Sequence, residues 1–304
     1  MAVVDGLVAP FRRSGIRGFG FPELDESGLG NMLVPWAKCL IWCRDQGVEM
    51  IAPHWGRQGA ARDYRASFND DGYVTGLRRS FLLALGSRRN EGEAHVRSKS
   101  FLPVIQTFRG LEHIEPVLGR HRDVADELWR ITDPRLRPDP IAVPFIALHV
   151  RRGDFATGPE EALRAGAANL QQPIRWYVEA LHALRQSVGA DAPAIIFSDG
   201  TDDELAPLLS IDAVRRSPYR AAVTDILVLS RAAAIIASRS TFSAWASFLG
   251  QTPALYFPGA RPCPVSLIEG PPSFAHEPEW DFGQPMPGSF RSAVQSRLSS
   301  PKLH

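Results

Sequence analysis

The sequence predicts an α/β protein whose C-terminal half is a doubly wound parallel sheet. Two observations carry this. Four apolar runs read as buried strands: FIALHV (145–150), AIIFSDG (194–200), AAAIIAS (232–238) and PALYF (253–257). Between them lie segments with helical spacing, at 173–188, 201–209, 223–231 and 240–250. Strands covered on both faces read as continuous apolar runs. Strands alternating with helices at this spacing mean βαβ units.

The elements follow in chain order. After SGLGN, apolar residues stand at Leu29, Met32, Leu33, Trp36, Ala37, Leu40 and Ile41, the stripe of a core-facing helix. Pro35 is tolerated only in a first turn, so the helix is expected to start near Asn31, with Gly47 as its stop. VEMIA (48–52) reads as a short buried strand. Residues 53–140 carry clusters of Gly, Arg and Asp, with helical pieces at 76–86 and 111–130. DPRLRPDP (133–140) is turn-rich and marks a domain boundary. The expected organisation is a domain at 1–140, a second at 141–290 and a tail at 291–304. Pro173 opens the next helix, and Thr201 with Glu204 offers capping-box chemistry to the one after it. The segment from Pro258 is proline-rich and is expected to wrap the surface, with the last ~12 residues disordered.

Composition narrows the function classes. The chain has 304 residues, and Lys+Arg 34 against Asp+Glu 33 leaves a net charge of +1. Near-neutrality argues against a dedicated nucleic-acid binder. Three cysteines, Cys39, Cys43 and Cys263, form no disulfide framework and suit a reducing compartment. The opening residues lack a secretory pattern, and no apolar run approaches a membrane span. A cytoplasmic location is expected. No internal repeat, GxGxxG after a strand, GxxxxGK[ST], HExxH or GxSxG occurs.

Ligands of open α/β sheets bind outside the C-terminal ends of the strands. Four polar clusters fall at such ends or at helix starts: GLGN (28–31), HVRRGD (149–154), FSDG (197–200) and SRSTFS (238–243). Residues i and i+2 of a strand share a face, so His149 and Arg151 point one way and Arg152 the other. A guanidinium at a strand end suits a diphosphate, because its planar fork binds phosphate oxygens in pairs. Gly153 lets the chain turn, and Asp154 braces an arginine. His149 reads equally as a core histidine. GLGN offers backbone N–H groups and a helix dipole to an anion, or a turn and cap alone. Ser240, Thr241 and Ser243 either cap their helix or hold phosphate and ribose. Asp199 either accepts from a nucleobase edge or caps a helix. Cys39 and Cys43 read as core residues, and Asp70-Asp71 and Asp202-Asp203 as an exposed turn and a helix first turn.

Together, GLGN, HVRRGD, FSDG and TDILVLSRAAAIIASRSTFSAWASFLG resemble the α-1,2/α-1,6-fucosyltransferase superfamily, nearest its bacterial α-1,2-type members. The likeness spans roughly residues 25–50 and 145–257. FSDG stands where relatives tend to have FSDD. The resemblance implies a GT-B-like fold of two Rossmann-type domains with a cleft between them. It implies GDP-fucose as donor, a glycan hydroxyl as acceptor, inversion at the sugar carbon, no cofactor and no required metal. By that resemblance Arg151 holds the donor diphosphate, with Arg152 and Asp154 completing the catalytic motif and His149 beside the nucleotide. Asp199 contacts guanine, and Ser240, Thr241 and Ser243 line the ribose-phosphate region. Gly28, Gly30 and Asn31 present their helix to the diphosphate. Two other readings stay open: a transferase of the same fold using another nucleotide sugar such as GDP-mannose, and a non-catalytic nucleotide or glycan binder.

Overall fold

The computed structural model describes residues 18–56, 62–91, 103–189, 191–261 and 276–299. The chain divides into two compact units, Met1–Arg135 and Leu136–His304. Cys263 and the opening MAVVDGLVAPFRR lie outside the described residues.

The first unit holds β1 (Gly18–Pro22), α1 (Leu29–Gln46), α2 (Gly76–Leu85), β2 (Ser87–Asn90), β3 (Val104–Phe108) and α3 (His121–Ile131). The strands form a parallel sheet in the order β1-β3-β2. The expected strand at 48–52 is reduced to bridges, with Met50 pairing Gly20 and Ile51 pairing Val74, both parallel. Phe19, Phe21, Ile51, Val74, Leu82 and Ile105 form this core. Gly20 is where α1 meets the sheet. A Cβ there would stand 2.3 Å from Cys43 Sγ and 2.7 Å from Cys39 Sγ, so only glycine lets the buried cysteines pack against β1.

α1 starts at Leu29, two residues before the expected position, and Pro35 lies inside it. The cost of an interior proline is a lost hydrogen bond and a ring clash. Burial of most of the helix outweighs it here, with Leu29, Met32, Leu33, Trp36, Ala37 and Ile41 nearly or fully enclosed. Gly47 ends the helix in the left-handed conformation (φ 63°), as expected of a C-terminal glycine. The expected helix over 111–130 is shorter: a 3-10 turn at Glu115–Val117 precedes α3. β1, β2 and β3 escaped the sequence reading. GFGFP and SRRN are written in turn-forming or charged residues, without the apolar run that signals a strand.

The second unit holds β4 (Ile146–Val150), α4 (Glu160–Arg164), α5 (Ile174–Val188), β5 (Ala194–Ser198), α6 (Asp202–Leu209), β6 (Val214–Arg216), α7 (Ala222–Leu229), β7 (Ala234–Ala237), α8 (Thr241–Gly250), β8 (Ala254–Tyr256) and α9 (Gly288–Ser299). All five strands are parallel, in the order β6-β5-β4-β7-β8. The chain runs outward from β4 to one edge, then returns to the other side, so β4 and β7 meet at the topological switch point. Alternating strand residues feed two cores. Ile146, Leu148, Ile196 and Ile236 pack with Trp176, Leu181, Leu205 and Phe290. Phe145, Ala147, Ile195 and Ile235 pack with Val228, Leu229 and Ala246.

Pro173 and Gly189 bound α5, and Thr201 with Glu204 forms a complete capping box on α6. The expectation of a disordered end fails as far as Ser299, because α9 buries Phe290 and Val294 against the sheet's core. No described helix is long and apolar enough to cross a membrane.

Candidate functional site

β4 delivers HVRRGD to the switch point. His149 pairs with Phe197 of β5, and Val150 with Ser198. His149 shares the face of Phe145 and Ala147, which turns its ring toward the start of α8. Its Nδ1 lies 2.6 Å from Ser243 Oγ and 3.0 Å from Ser238 Oγ, and its ring stacks on Phe242 with centroids 5.0 Å apart. The ends of β4 and β7 are thus joined through one imidazole. Burial, with the Arg151 charge adding to it, pushes the His149 pKa down to about 3, so the ring stays neutral. Behind it, Tyr177 Oη lies 3.2 Å from the His149 carbonyl and 2.7 Å from Gln172 Oε1.

The two arginines part as strand alternation requires. Arg152 is buried; its Nη1 donates to Gln171 Oε1 at 2.9 Å. Arg151 keeps a quarter of its side chain exposed. It pairs with Asp154, sits 3.2 Å from Asp199 Oδ2 through Nη1, and stacks over Phe155 at 5.1 Å. Its Nε is buried with no hydrogen-bond partner among the described residues.

Asp199 belongs to this turn. Its Oδ1 accepts from the Arg152 N–H at 2.7 Å and its Oδ2 faces Arg151. Both oxygens are engaged by the motif, so Asp199 braces the arginine turn while its side chain stays part-exposed. The glycines are shaped by the same contacts. A Cβ at Gly153 would stand 2.9 Å from Asp199 Oδ2, and one at Gly200 would stand 2.8 Å from Arg152 Cγ. A side chain at the fourth residue of FSDG would press on Arg152.

Of the three hydroxyls expected to face a ligand, Ser240 caps α8 by accepting from the Phe242 N–H at 3.2 Å. Ser243 is fully buried and spends its hydroxyl on His149, so it acts through that ring and lines no open surface. Thr241 begins α8 and is part-exposed. A cavity of about 470 Å³ opens at the ends of β5 and β6, lined by Gly200, Thr201, Asp202, Asp203, Arg216 and Arg220.

Sequence reasoning missed two groups here. Ser238 ends the apolar AAAIIAS run, and its hydroxyl is one of the two on His149. Asp225 is a lone carboxylate in the apolar TDILVL stretch, a signal visible in the sequence. It sits in the first turn of α7, accepts from Ser217 Oγ at 2.9 Å, and burial raises its pKa to about 6.

GLGN belongs to the first unit. Gly28 precedes α1 with no side-chain cap, and its carbonyl accepts from the Asn31 and Met32 N–H groups. The Leu29 N–H donates to Tyr64 Oη at 3.3 Å. A Cβ at Gly28 would meet nothing within 4 Å. Gly30 is buried and Asn31 part-buried at this end.

Residues 141–258, all within the second unit, match the model of glycosyl transferase family 11. The match includes HVRRGD, FSDG and SRSTFS, the clusters behind the fucosyltransferase-superfamily resemblance. It spans less than half of the chain. No curated protein matches the chain. Among solved structures, it is similar to NodZ alpha-1,6-fucosyltransferase co-crystallized with GDP (15% identity, 79% of this chain and 94% of that chain, TM-score 0.45). It is also similar to POFUT1 in complex with GDP-fucose (13%, 79% and 98%, TM-score 0.48) and to a mutant of Arabidopsis thaliana FUT1 in complex with GDP (9%, 84% and 74%, TM-score 0.47).

Proposed function

Starting from the family 11 match, we propose that this protein is an inverting, metal-independent transferase moving fucose from GDP-fucose to a glycan hydroxyl. The observation that supports it most is the position of His149 and Arg151 at the β4–β7 switch point, inside the residues that match the family. In the proposed reaction the bond from the anomeric carbon to the diphosphate oxygen breaks, and its electron pair leaves with GDP. The acceptor oxygen bonds to the opposite face of that carbon and loses its proton. Negative charge grows on the diphosphate, and a fixed cation aimed at that charge lowers the barrier.

Arg151 supplies the cation in this reading. Neutral His149 ties the ends of β4 and β7 beneath it, and Arg152 and Asp199 hold the turn in shape. Asp154 is the carboxylate that a phosphate must displace from Arg151. We assign the nucleobase end to β5 and β6, where Asp225 is the carboxylate available to guanine's N–H donors. Gly28, Gly30 and Asn31 keep the anion-facing role of a helix N-terminus. The two-domain GT-B architecture, with the acceptor on the first unit and the donor on the second, belongs to the same proposal, as does the cytoplasmic location.

Calorimetry with GDP, GDP-fucose, GDP-mannose and UDP, each with and without EDTA, tests the reading. The expected result is GDP-selective binding unaffected by EDTA, with turnover of GDP-fucose. Turnover of GDP-mannose alone would move the donor assignment, and GDP binding with no turnover of any donor would remove the enzyme.

A further inference from the structure

The turn that aims Arg151 is fastened by a side chain from outside the motif. Gln171 Oε1 accepts from Arg152 Nη1 at 2.9 Å. Its Nε2 donates to the Arg152 carbonyl at 3.1 Å and to the Phe155 carbonyl at 2.9 Å. A primary amide carries one acceptor and two N–H donors, and here all three serve residues 152 and 155. Both ends of the turn after β4 are thus tied to one group.

The segment that carries the amide is itself pinned. The Ala156 N–H donates to the Asn169 carbonyl and the Gln171 N–H to the Ala156 carbonyl, both at 2.9 Å, and Ala156 forms a parallel bridge with Leu170. Asn169 turns the chain in the left-handed conformation (φ 57°), which asparagine adopts more readily than most residues. The chain of contacts ends on Arg151. The ring of Phe155, whose carbonyl Gln171 holds, lies 5.1 Å from the Arg151 guanidinium carbon, and Asp154 is that guanidinium's ion-pair partner. A shift of the 152–155 backbone would carry both neighbours of Arg151 with it.

We propose that Gln171 is a positioning residue of the transferase, keeping Arg151 aimed at the diphosphate by fixing the backbone of 152–155. The proposal rests on the transferase reading and on the place of Arg151 in it. Gln171 touches no reacting atom; it acts through the turn, and the turn through Arg151.

GDP release from GDP-fucose, with water as the acceptor, tests it on the full chain. Water bonds to the anomeric carbon and gives its proton to solvent, and the electron pair of the broken bond leaves with GDP, so the assay reads the charge that Arg151 faces. Gln171→Met removes all three hydrogen bonds at similar volume. It should lower kcat by about 10- to 100-fold, the cost of misplacing a group that the reaction needs aligned. KM should change by less than about threefold, because the lost interaction is made mainly to charge that grows in the transition state. Gln171→Glu keeps the acceptor for Arg152 and loses both donors, so it should lose kcat as the Met variant does while unfolding nearer the wild-type temperature. Arg151→Ala combined with Gln171→Met should be no slower than Arg151→Ala alone, since the two act as one unit. A further loss of about tenfold in the double variant would overturn the proposal in favour of a general structural role. Wild-type kcat in the Glu variant would overturn it as well. Wild-type protein that releases no GDP from GDP-fucose would instead remove the transferase reading itself, and with it the reaction that Gln171 serves.

Discussion

The two parallel sheets were built by different means. In the second unit β4, β5 and β7 are apolar runs buried on both faces, and each strand's residues decide alone that it is a strand. In the first unit GFGFP and SRRN become strands because β3 lies between them and α1 packs on Gly20. A strand that carries its own apolar pattern is robust and legible. A strand made by its neighbours is neither.

The largest expected effect falls on the second sheet's C-terminal end. Arg151→Ala should lower transferase turnover by about 10²–10³, the range for removing a donor aimed at developing charge, with the unit still folded. Arg152→Ala should instead lower stability, because its guanidinium is buried against Gln171. If steady-state kinetics and thermal unfolding show the two variants behaving alike, the division of labour between the arginines is wrong.

Glycine substitutions separate the units next. A Cβ at Gly250 would stand 1.7 Å from the Ser230 carbonyl oxygen, which is backbone and cannot step aside. Gly250→Ala should cost about 1–3 kcal/mol or more, the range for overpacking, and no side-chain change should relieve it. Gly20→Ala meets cysteine side chains instead, so adding Cys43→Ala should recover part of its loss. Urea unfolding of the single and double variants checks this.

Acid acts through the second unit in two opposed ways. The unfolded chain protonates histidine near its ordinary 6.5, while native His149 resists until about 3, so stability falls as pH drops from 6.5 toward 3. Native Asp225 takes its proton near 6, above its ordinary 3.8, and so adds stability as pH falls through the same window. The histidine shift is the larger, leaving a net loss of about 1 kcal/mol from pH 7 to pH 4. Asp225→Asn should steepen the loss and His149→Gln should turn it into a small gain, as read from denaturant midpoints. If Asp225 receives guanine as an anion, GDP affinity should rise as pH climbs through 6.

The smallest contrast is between two helix starts. Ser240→Ala removes the side-chain cap of α8 and should cost about 1 kcal/mol. Gly28→Ala at α1 removes no side-chain hydrogen bond and meets open space, so it should cost less than the Ser240 change. Equal losses in unfolding experiments would show that α1 depends on its glycine for more than a backbone turn.

The apolar periodicity of the sequence determined four of the second unit's five strands, most of its helices and the arrival of HVRRGD at a strand end; β6, written VRR, carries no such pattern. Alternation alone also separated Arg151 from Arg152. Those properties are local: a strand's faces follow from its own residues. Tertiary structure decided the rest. It made Asp199 a brace, buried Ser243 against His149, kept Pro35 inside α1 and brought β7 beside β4, because each depends on a residue distant in sequence. A hydroxyl or carboxylate is written the same way in the chain whether it faces a ligand or a neighbour, and only packing determines which.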